Sequence, residues 1–389
     1  MPTYPPLAKP DLPTSAWYEE SREEVKFAYW VPNISGGLVI TTLPMETEWT
    51  HEANVRYAKM AEANGFSTAL AQTRWFASYG ADHQHEAFVI ASHILAHTET
   101  LELITACHPG LWLPGVVAKL QATLDVVSNG RTSINIVSGW FKGEFTGYGE
   151  PWLEHGERYR RSEEFIRIMK GMWAEDEYTF YGDFYHIDGA PMLPKPVHQP
   201  IVFQGGNSAD AQRMAGRVSD VLMMNGNTNE GFTKIMNGTK QAAKDSGRDV
   251  NELRFCTNGF TIVRDTEEEA VETLRSIIDH ADVEAVKGFG EAVKQAGRSS
   301  SDSEGMWANS SFEDLVQYND GFKTGLIGTA DQVADRIMEL KAIGVNMILT
   351  GYLHYDWELE QFGKEVIPRV REREAAQKKG KKQVAVSGS

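Results

Sequence analysis

Residues 101–137 read LELITACHPGLWLPGVVAKLQATLDVVSNGRTSINIV, and their pattern decides the fold. Leu101–Ala106 is a short, largely apolar run of the kind that forms a strand buried on both faces. Gly115–Val127 follows with helical spacing and stops at Asn129-Gly130, a pair suited to the left-handed turn that ends a helix. Arg131–Val137 then repeats the buried-strand pattern. A strand, a crossover helix and a second strand make one βαβ unit, whose strands pair in parallel.

The alternation extends outward in both directions. Before it lie a strand at Val25–Val31, a helix from Glu52 to Ala63 that stops at Gly65, a strand at Thr68–Ala71 and a helix near Glu86–Ala96. After it, strands are expected at Ile201–Phe203, Asp220–Met224, Arg254–Val263 and Val345–Leu349, with a hairpin at Tyr178–Ile187 set apart. Helices fall at 159–173, 208–216, 231–245, 266–279, 330–342 and 357–371. Seven or eight strand–helix units predict an α/β protein, a (β/α)8 TIM barrel with insertions at the C-terminal face. The first βα turn holds no G-x-G-x-x-G, which argues against a doubly wound dinucleotide fold. No repeat with a period of 20–50 residues is visible.

Three segments stand outside the simple barrel. Residues 1–24 read as an extended N-terminal arm that the core does not need, 25–372 as the barrel, and 373–389 as a flexible tail. Within the barrel, Ala281–Gly328 is a long insertion between the seventh strand and the last helix–strand pair, read as a lid. Trp140–Tyr159 is a second insertion, after strand four.

Composition excludes several classes. Lys and Arg number 38 against 54 Asp and Glu, a net charge of −16, which disfavours nucleic acid and anionic membrane partners. The one basic run, Lys378, Lys379, Lys381 and Lys382, sits in the tail. Two cysteines, Cys107 and Cys256, suit a reducing compartment, and no signal or spanning segment is read; a cytoplasmic location is expected.

In a barrel, chemistry belongs at the C-terminal strand ends. Gln204-Gly205-Gly206-Asn207-Ser208 ends a strand and opens a helix; it suits a phosphate, though a plain Ser-capped turn would look the same. Arg158-Tyr159-Arg160-Arg161 sets cations at a helix start, where they need an anion or acidic neighbours such as Glu157, Glu163 and Glu164. Two such features together favour one phosphate site. His83-Gln84-His85 would serve a metal-dependent barrel hydrolase, the alternative reading. Its rings, however, are expected to point apart at a helix start, and no later His or Lys set completes a site, so no metal is expected. His155 reads as structure at the helix start rather than acid/base chemistry, and Cys107-His108 lacks a third partner for nucleophilic work. Trp30, Trp75, Phe76, Trp112, Trp140, Phe260, Phe322 and Tyr352 cluster near strand ends. Beside a phosphate site, an aromatic mouth fits a flat phosphorylated cofactor, and FMN is the economical choice.

These residues also carry a family resemblance. Gly130–Trp140, Glu157-Arg158-Tyr159 and Gly205–Ser208 resemble the bacterial-luciferase-like two-component flavin monooxygenases, in the alkanesulfonate and pyrimidine branch. Ala28–Asn33, Ser138–Phe141, Trp152–His155 and Phe312–Thr324 are most similar to the dimethyl sulfone monooxygenases, over roughly residues 25–372. The resemblance implies reduced FMN supplied by a separate NAD(P)H:flavin reductase, O2 as co-substrate, and a homodimer or homotetramer. It implies flavin contacts at Thr73, Arg74, Asn135, Glu144, Arg158, Tyr159, Gly206 and Ser208. Alkanesulfonate members hold their anion with an Arg and a His on strand seven and an Arg on the lid. The matching residues here are Asn258, Phe260 and Asn319, and Phe76 falls where those enzymes keep a cysteine. With Asn33 and Trp75, these are the expected substrate contacts, and Asn258 is the expected donor to sulfone oxygens. Loss of the cations favours a neutral substrate: dimethyl sulfone going to methanesulfinate, with an alkanesulfonate or amide as the sister alternative. No side chain is identified as the general acid or base.

Overall fold

The computed structural model describes residues 4–302 and 305–387. Eight parallel strands close a barrel: β1 (Lys26–Val31), β2 (Thr68–Ala71), β3 (Glu102–Cys107), β4 (Thr132–Ile136), β5 (Val202–Gly205), β6 (Val221–Met224), β7 (Arg254–Phe260) and β8 (Met347–Gly351). Each strand pairs with its sequence neighbours, and β8 returns to β1 with Lys26 opposite Met347. Every residue of β1, β3, β4, β7 and β8 is buried, the signature of strands covered on both faces.

The helices α1 (Ala16–Glu20), α2 (His51–Ala63), α3 (Ala87–Leu95) and α4 (Pro114–Ser128) lie in the first half. After β4 come α5 (Lys142–Gly147) and the long α6 (His155–Ala174), then α7 (Ala209–Val218) and α8 (Asn229–Asp245). The last third holds α9 (Glu267–Asp279), α10 (Val283–Arg298), α11 (Phe312–Leu315), α12 (Ala330–Ile343), α13 (Tyr355–Gln361) and α14 (Ile367–Ser387). Local signals set several ends. Pro114 opens α4 at a position whose N–H needs no partner, and Asn129 closes it at φ 57°. Thr329 and Gln332 form a capping box on α12.

Four expectations need correction. The arm is not dispensable to the core: Met1–Thr3 lie outside the described residues, but α1 buries Trp17 and Tyr18, and Trp17 stacks on Phe203 of β5 at 5.6 Å. Arg254, the first residue of β7, donates to Ser21 Oγ at 2.9 Å and lies over the Tyr18 ring, so α1 closes the N-terminal end of the barrel. The expected tail is helical to Ser387. Glu374, inside it, accepts the Val25 N–H and a bond from Lys341, and Lys378 pairs with Glu23. Gly388 and Ser389 lie outside the described residues, as do Ser303 and Glu304 of the expected lid, and the side chains of Lys381 and Lys382 are not among those described. The seventh strand ends at Phe260, because Ile262 and Val263 leave the barrel to pair with Ile327 and Gly328. The hairpin pairs Glu177–Tyr181 with His186–Pro191, longer than the alternation suggested.

Candidate functional site

The C-terminal strand ends enclose a cavity of about 1200 Å3, open solvent at its mouth included. Its aromatic wall comes from Trp30 on β1, Trp140 after β4, and Phe289, Trp307 and Tyr318 from the 281–328 insertion. Trp140 meets the Phe289 ring edge-on at 5.6 Å and lies 5.7 Å from Trp307, so the two insertions meet over the barrel. Among the expected site residues, Thr73, Arg74, Asn135, Arg158, Tyr159, Ser208, Asn258 and Asn319 line this one cavity.

At one end lies α7, whose N-cap Ser208 accepts the Ala211 N–H at 3.3 Å. Gly206 does not line the wall, yet only glycine fits there. Its φ is +142°, and a Cβ would sit 2.6 Å from that of Ala211 and 2.7 Å from the Tyr159 hydroxyl. The arginine cluster divides. Arg160 pairs with Asp183 and Arg161 with Glu150, neither of them the helical neighbours anticipated from sequence. Glu163 instead binds Arg167 and Arg217, and Glu164 takes the N–H groups of Asp183, Phe184 and Tyr185. Arg158, 3% exposed, has no ion pair among the described residues. It lies 4.0 Å over Trp152 and donates one bond to Leu153 O, while its Nε has no partner. Burial pushes its pKa down to about 10, the mark of a cation lacking a counter-charge.

Arg74 is different. Its Nε donates to Glu144 at 3.2 Å, another nitrogen donates to Ser78, and the guanidinium lies 4.8 Å over Trp140. Glu144 is fully buried behind it and also accepts the N–H of Trp75 at 2.9 Å. The expected flavin contact at Glu144 is thus a carboxylate that holds Arg74 and the turn after β2; it is not on the cavity wall. His108 sits 4.0 Å from Glu144 Oε2 with both ring nitrogens unpartnered. Burial, then Arg74 and Arg161, push its pKa down to about 3, so it is neutral. Cys107 beside it is pushed well above the thiol range by burial and is no thiolate.

Four expected substrate contacts lie off the wall. Asn33 is fully buried and donates to Gln72 O and His85 O, both at 2.9 Å. Trp75 packs on Tyr148 and Trp112, and Phe76 stacks on Tyr148. Phe260 turns its ring onto Phe322 at 5.3 Å. Asn258 does face the cavity, but its amide is spent on the protein. Oδ1 accepts from Trp30 Nε1 at 2.8 Å, and Nδ2 donates to Asn319 O at 3.2 Å and Gln317 Oε1 at 3.4 Å. A sulfone offers only acceptors, so Asn258 has no donor left for it.

The cavity also holds residues that were not expected as contacts. Gln72 and Asn225 line it with amide nitrogens that are buried and unpartnered. Both stand directly after a strand, which was the available signal. His155 also faces the cavity, its Nδ1 3.0 Å from Asp210 Oδ2. The rings of His83 and His85 do not point apart. Both lie against Trp49, at 4.7 and 4.9 Å.

The sequence model of the luciferase-like monooxygenase family matches residues 34–347. The chain is 53% identical over 355 residues to the FMNH(2)-dependent dimethylsulfone monooxygenase of Pseudomonas fluorescens (strain Pf0-1), covering 91% of this chain and 97% of that one. The Pseudomonas putida protein of the same name is 52% identical over 354 residues, with 90% and 97% covered. The solved EDTA monooxygenase of Chelativorans sp. BNC1 superposes with a TM-score of 0.75 at 17% identity, covering 90% of this chain and 94% of that one, a likeness of fold.

Proposed function

We propose that this chain, which belongs to the luciferase-like monooxygenase family, uses O2 and reduced FMN to convert dimethyl sulfone to methanesulfinate. One carbon–sulfur bond breaks and the lost carbon leaves as formaldehyde, which with water balances the atoms. The observation that carries the reading is a buried guanidinium without an anion, Arg158, beside the N-terminus of α7. It opens into a cavity whose other fully buried, unpartnered side-chain donors, among the described residues, are the neutral amides of Gln72 and Asn225.

Those residues fit FMN. Arg158, Ser208 and the α7 N-terminus would hold its phosphate, with Gly206 keeping the turn close, and the aromatic wall would shelter its ring. When bound, reduced FMN supplies the two electrons that let O2 oxidise the substrate. The chain does the rest. Trp30, Trp140, Phe289 and Trp307 exclude water. Glu144 neutralises and fixes Arg74, so that this cation does not recruit anionic substrates. Gln72 Nε2 and Asn225 Nδ2 replace Asn258 as donors to the two sulfone oxygens. Asn258 and Gln317 instead brace the strap that carries Tyr318 and Asn319. Thr73, Asn135 and Tyr159 complete the cofactor side.

A separate NAD(P)H:flavin reductase in the cytoplasm would supply the cofactor; among the described residues no helix is long and apolar enough to cross a membrane. A homodimer or homotetramer is supported by Leu113, Val116, Leu120 and Val127, exposed along one face at the start and length of α4. The test is a reductase-coupled assay with FMN and NADH over sulfones, sulfonates and amides, read by mass spectrometry. Methanesulfinate formed from dimethyl sulfone, and faster than any product of the other classes, is the expected result. Preference for another class would refute the substrate.

A further inference from the structure

The α7 N-terminus already has an anion of the protein's own. Asp302, on the 281–328 insertion, accepts the N–H of Ala209, the first residue of α7, at 2.8 Å. Its neighbours hold it there. The Ser301 N–H donates to Asp210 at 3.3 Å and Arg213 donates to Ser301 Oγ at 3.3 Å. Ser300 Oγ donates to the other oxygen of Asp302 at 2.9 Å and accepts the Gly305 N–H at 3.0 Å. Because Ser208 Oγ covers the Ala211 N–H, the Ala209 N–H is the helix-end donor that the insertion claims.

The same helix end faces the cavity through Ser208, with the unpartnered Nε of nine-tenths-buried Arg158 on the same wall. A phosphate bound between Arg158 and Ser208 would share one small positive region with the Asp302 carboxylate. A carboxylate and a phosphate at one helix terminus repel, and the terminus favours whichever charge sits closer to it. We propose that Asp302 sets cofactor affinity: it holds the α7 N-terminus when FMN is absent and yields it to the cofactor phosphate. The inference rests on the reading that the phosphate lies between Arg158 and Ser208. The exchange makes and breaks only hydrogen bonds. It also links the cofactor to the insertion, since the segment carrying Asp302 supplies Phe289, Ala296, Met306 and Trp307 to the wall. A cofactor that must arrive reduced and leave oxidised at every turnover is served by an internal competitor that weakens its hold.

The experiment titrates the full-length protein and its Asp302→Asn, Asp302→Ala and Arg158→Met variants with FMN and with riboflavin, oxidised in air and reduced under nitrogen. Asp302→Asn keeps an acceptor for Ala209 and removes only the charge, so it remains informative if the alanine variant folds poorly. Both Asp302 variants should bind FMN at least threefold tighter and riboflavin within twofold of the unaltered protein. Unchanged or weaker FMN binding would reduce Asp302 to a helix cap and overturn the inference, as would equal tightening for FMN and riboflavin. Arg158→Met separates the two ideas. If it weakens FMN but not riboflavin while the Asp302 variants do nothing, the phosphate site stands and only the competition falls. If Arg158→Met leaves FMN binding unchanged, the phosphate site falls and the inference falls with it.

Discussion

Asn258 is the residue on which the sequence and the structure disagree most usefully. Replacing it with alanine removes one acceptor and two donor bonds at a position 2% exposed. The Trp30 indole N–H then loses its partner in the barrel mouth, at a cost of about 1–3 kcal/mol. The two longer bonds to Asn319 O and Gln317 Oε1 add about 0.5–1 kcal/mol each. We expect a loss of about 3 kcal/mol in unfolding free energy, measured by urea denaturation. Asn258→Asp keeps an acceptor for Trp30 but sets a carboxylate oxygen against two acceptor oxygens, an unpaired buried charge costing about 3–5 kcal/mol. That carboxyl would have a raised pKa in the folded state, so its penalty should be absent at acid pH and grow as pH rises. Both variants loosen the strap Gln317–Thr324, so kcat/KM should fall by a similar factor for every substrate turned over. Suppose instead that Asn258→Ala stays within about 0.5 kcal/mol of the unaltered protein, the scale of an ordinary surface change, while the KM for dimethyl sulfone alone rises steeply. Asn258 would then be a substrate ligand, and its bonds to Trp30 and the strap incidental.

Three further outcomes are expected. Arg158→Met keeps an unbranched stem against Trp152 and removes the charge, so it should weaken FMN binding by about 2 kcal/mol, roughly 30-fold, and spare riboflavin; equal losses for the two flavins would move the phosphate elsewhere. Glu102, buried at the N-terminal end of β3, has its pKa raised to about 7 by desolvation. Its folded pKa lies above the unfolded one, so stability is full below about pH 4.5 and falls by about 3 kcal/mol as pH rises through 7. Glu102→Gln should flatten that part of the pH–stability curve, and an unaltered slope would show that Glu102 ionises freely. Finally, the Arg74 charge is matched by Glu144, Arg158 is assigned to the FMN phosphate, and the fully buried donors left over among the described residues are neutral amides. Dimethyl sulfone should therefore exceed methanesulfonate at least tenfold in kcat/KM, a gap of about 1.4 kcal/mol. Preference for the sulfonate in competition assays would mean that a cation is available to it.

The barrel and the place of its chemistry were legible in the amino-acid sequence. Parallel strands buried on both faces leave unbroken apolar runs, and helix stops such as Asn129-Gly130 are local, so residues 101–137 could be read without their partners. The turn Gly205–Ser208 was legible for the same reason, since a glycine pair and an N-cap serine act within one turn. How each polar group is spent, by contrast, depends on contacts between distant parts of the chain. Arg160 and Arg161 are neutralised by Asp183 and Glu150, which lie off their own helix, and that leaves Arg158 as the buried arginine of this cluster without an acid among the described residues. Asn258 gives its amide to Trp30 on β1 and to Gln317 and Asn319 on the insertion, while Gln72 and Asn225 keep theirs. Trp17 in the proline-rich arm becomes the floor of the barrel because Phe203, far along the chain, offers it a ring to stack on. Burial patterns repeat along a chain at short range and can be read there. Hydrogen bonds and ion pairs are settled by whichever group arrives from elsewhere, and burial makes an unpaired one costly enough for that arrival to decide the site.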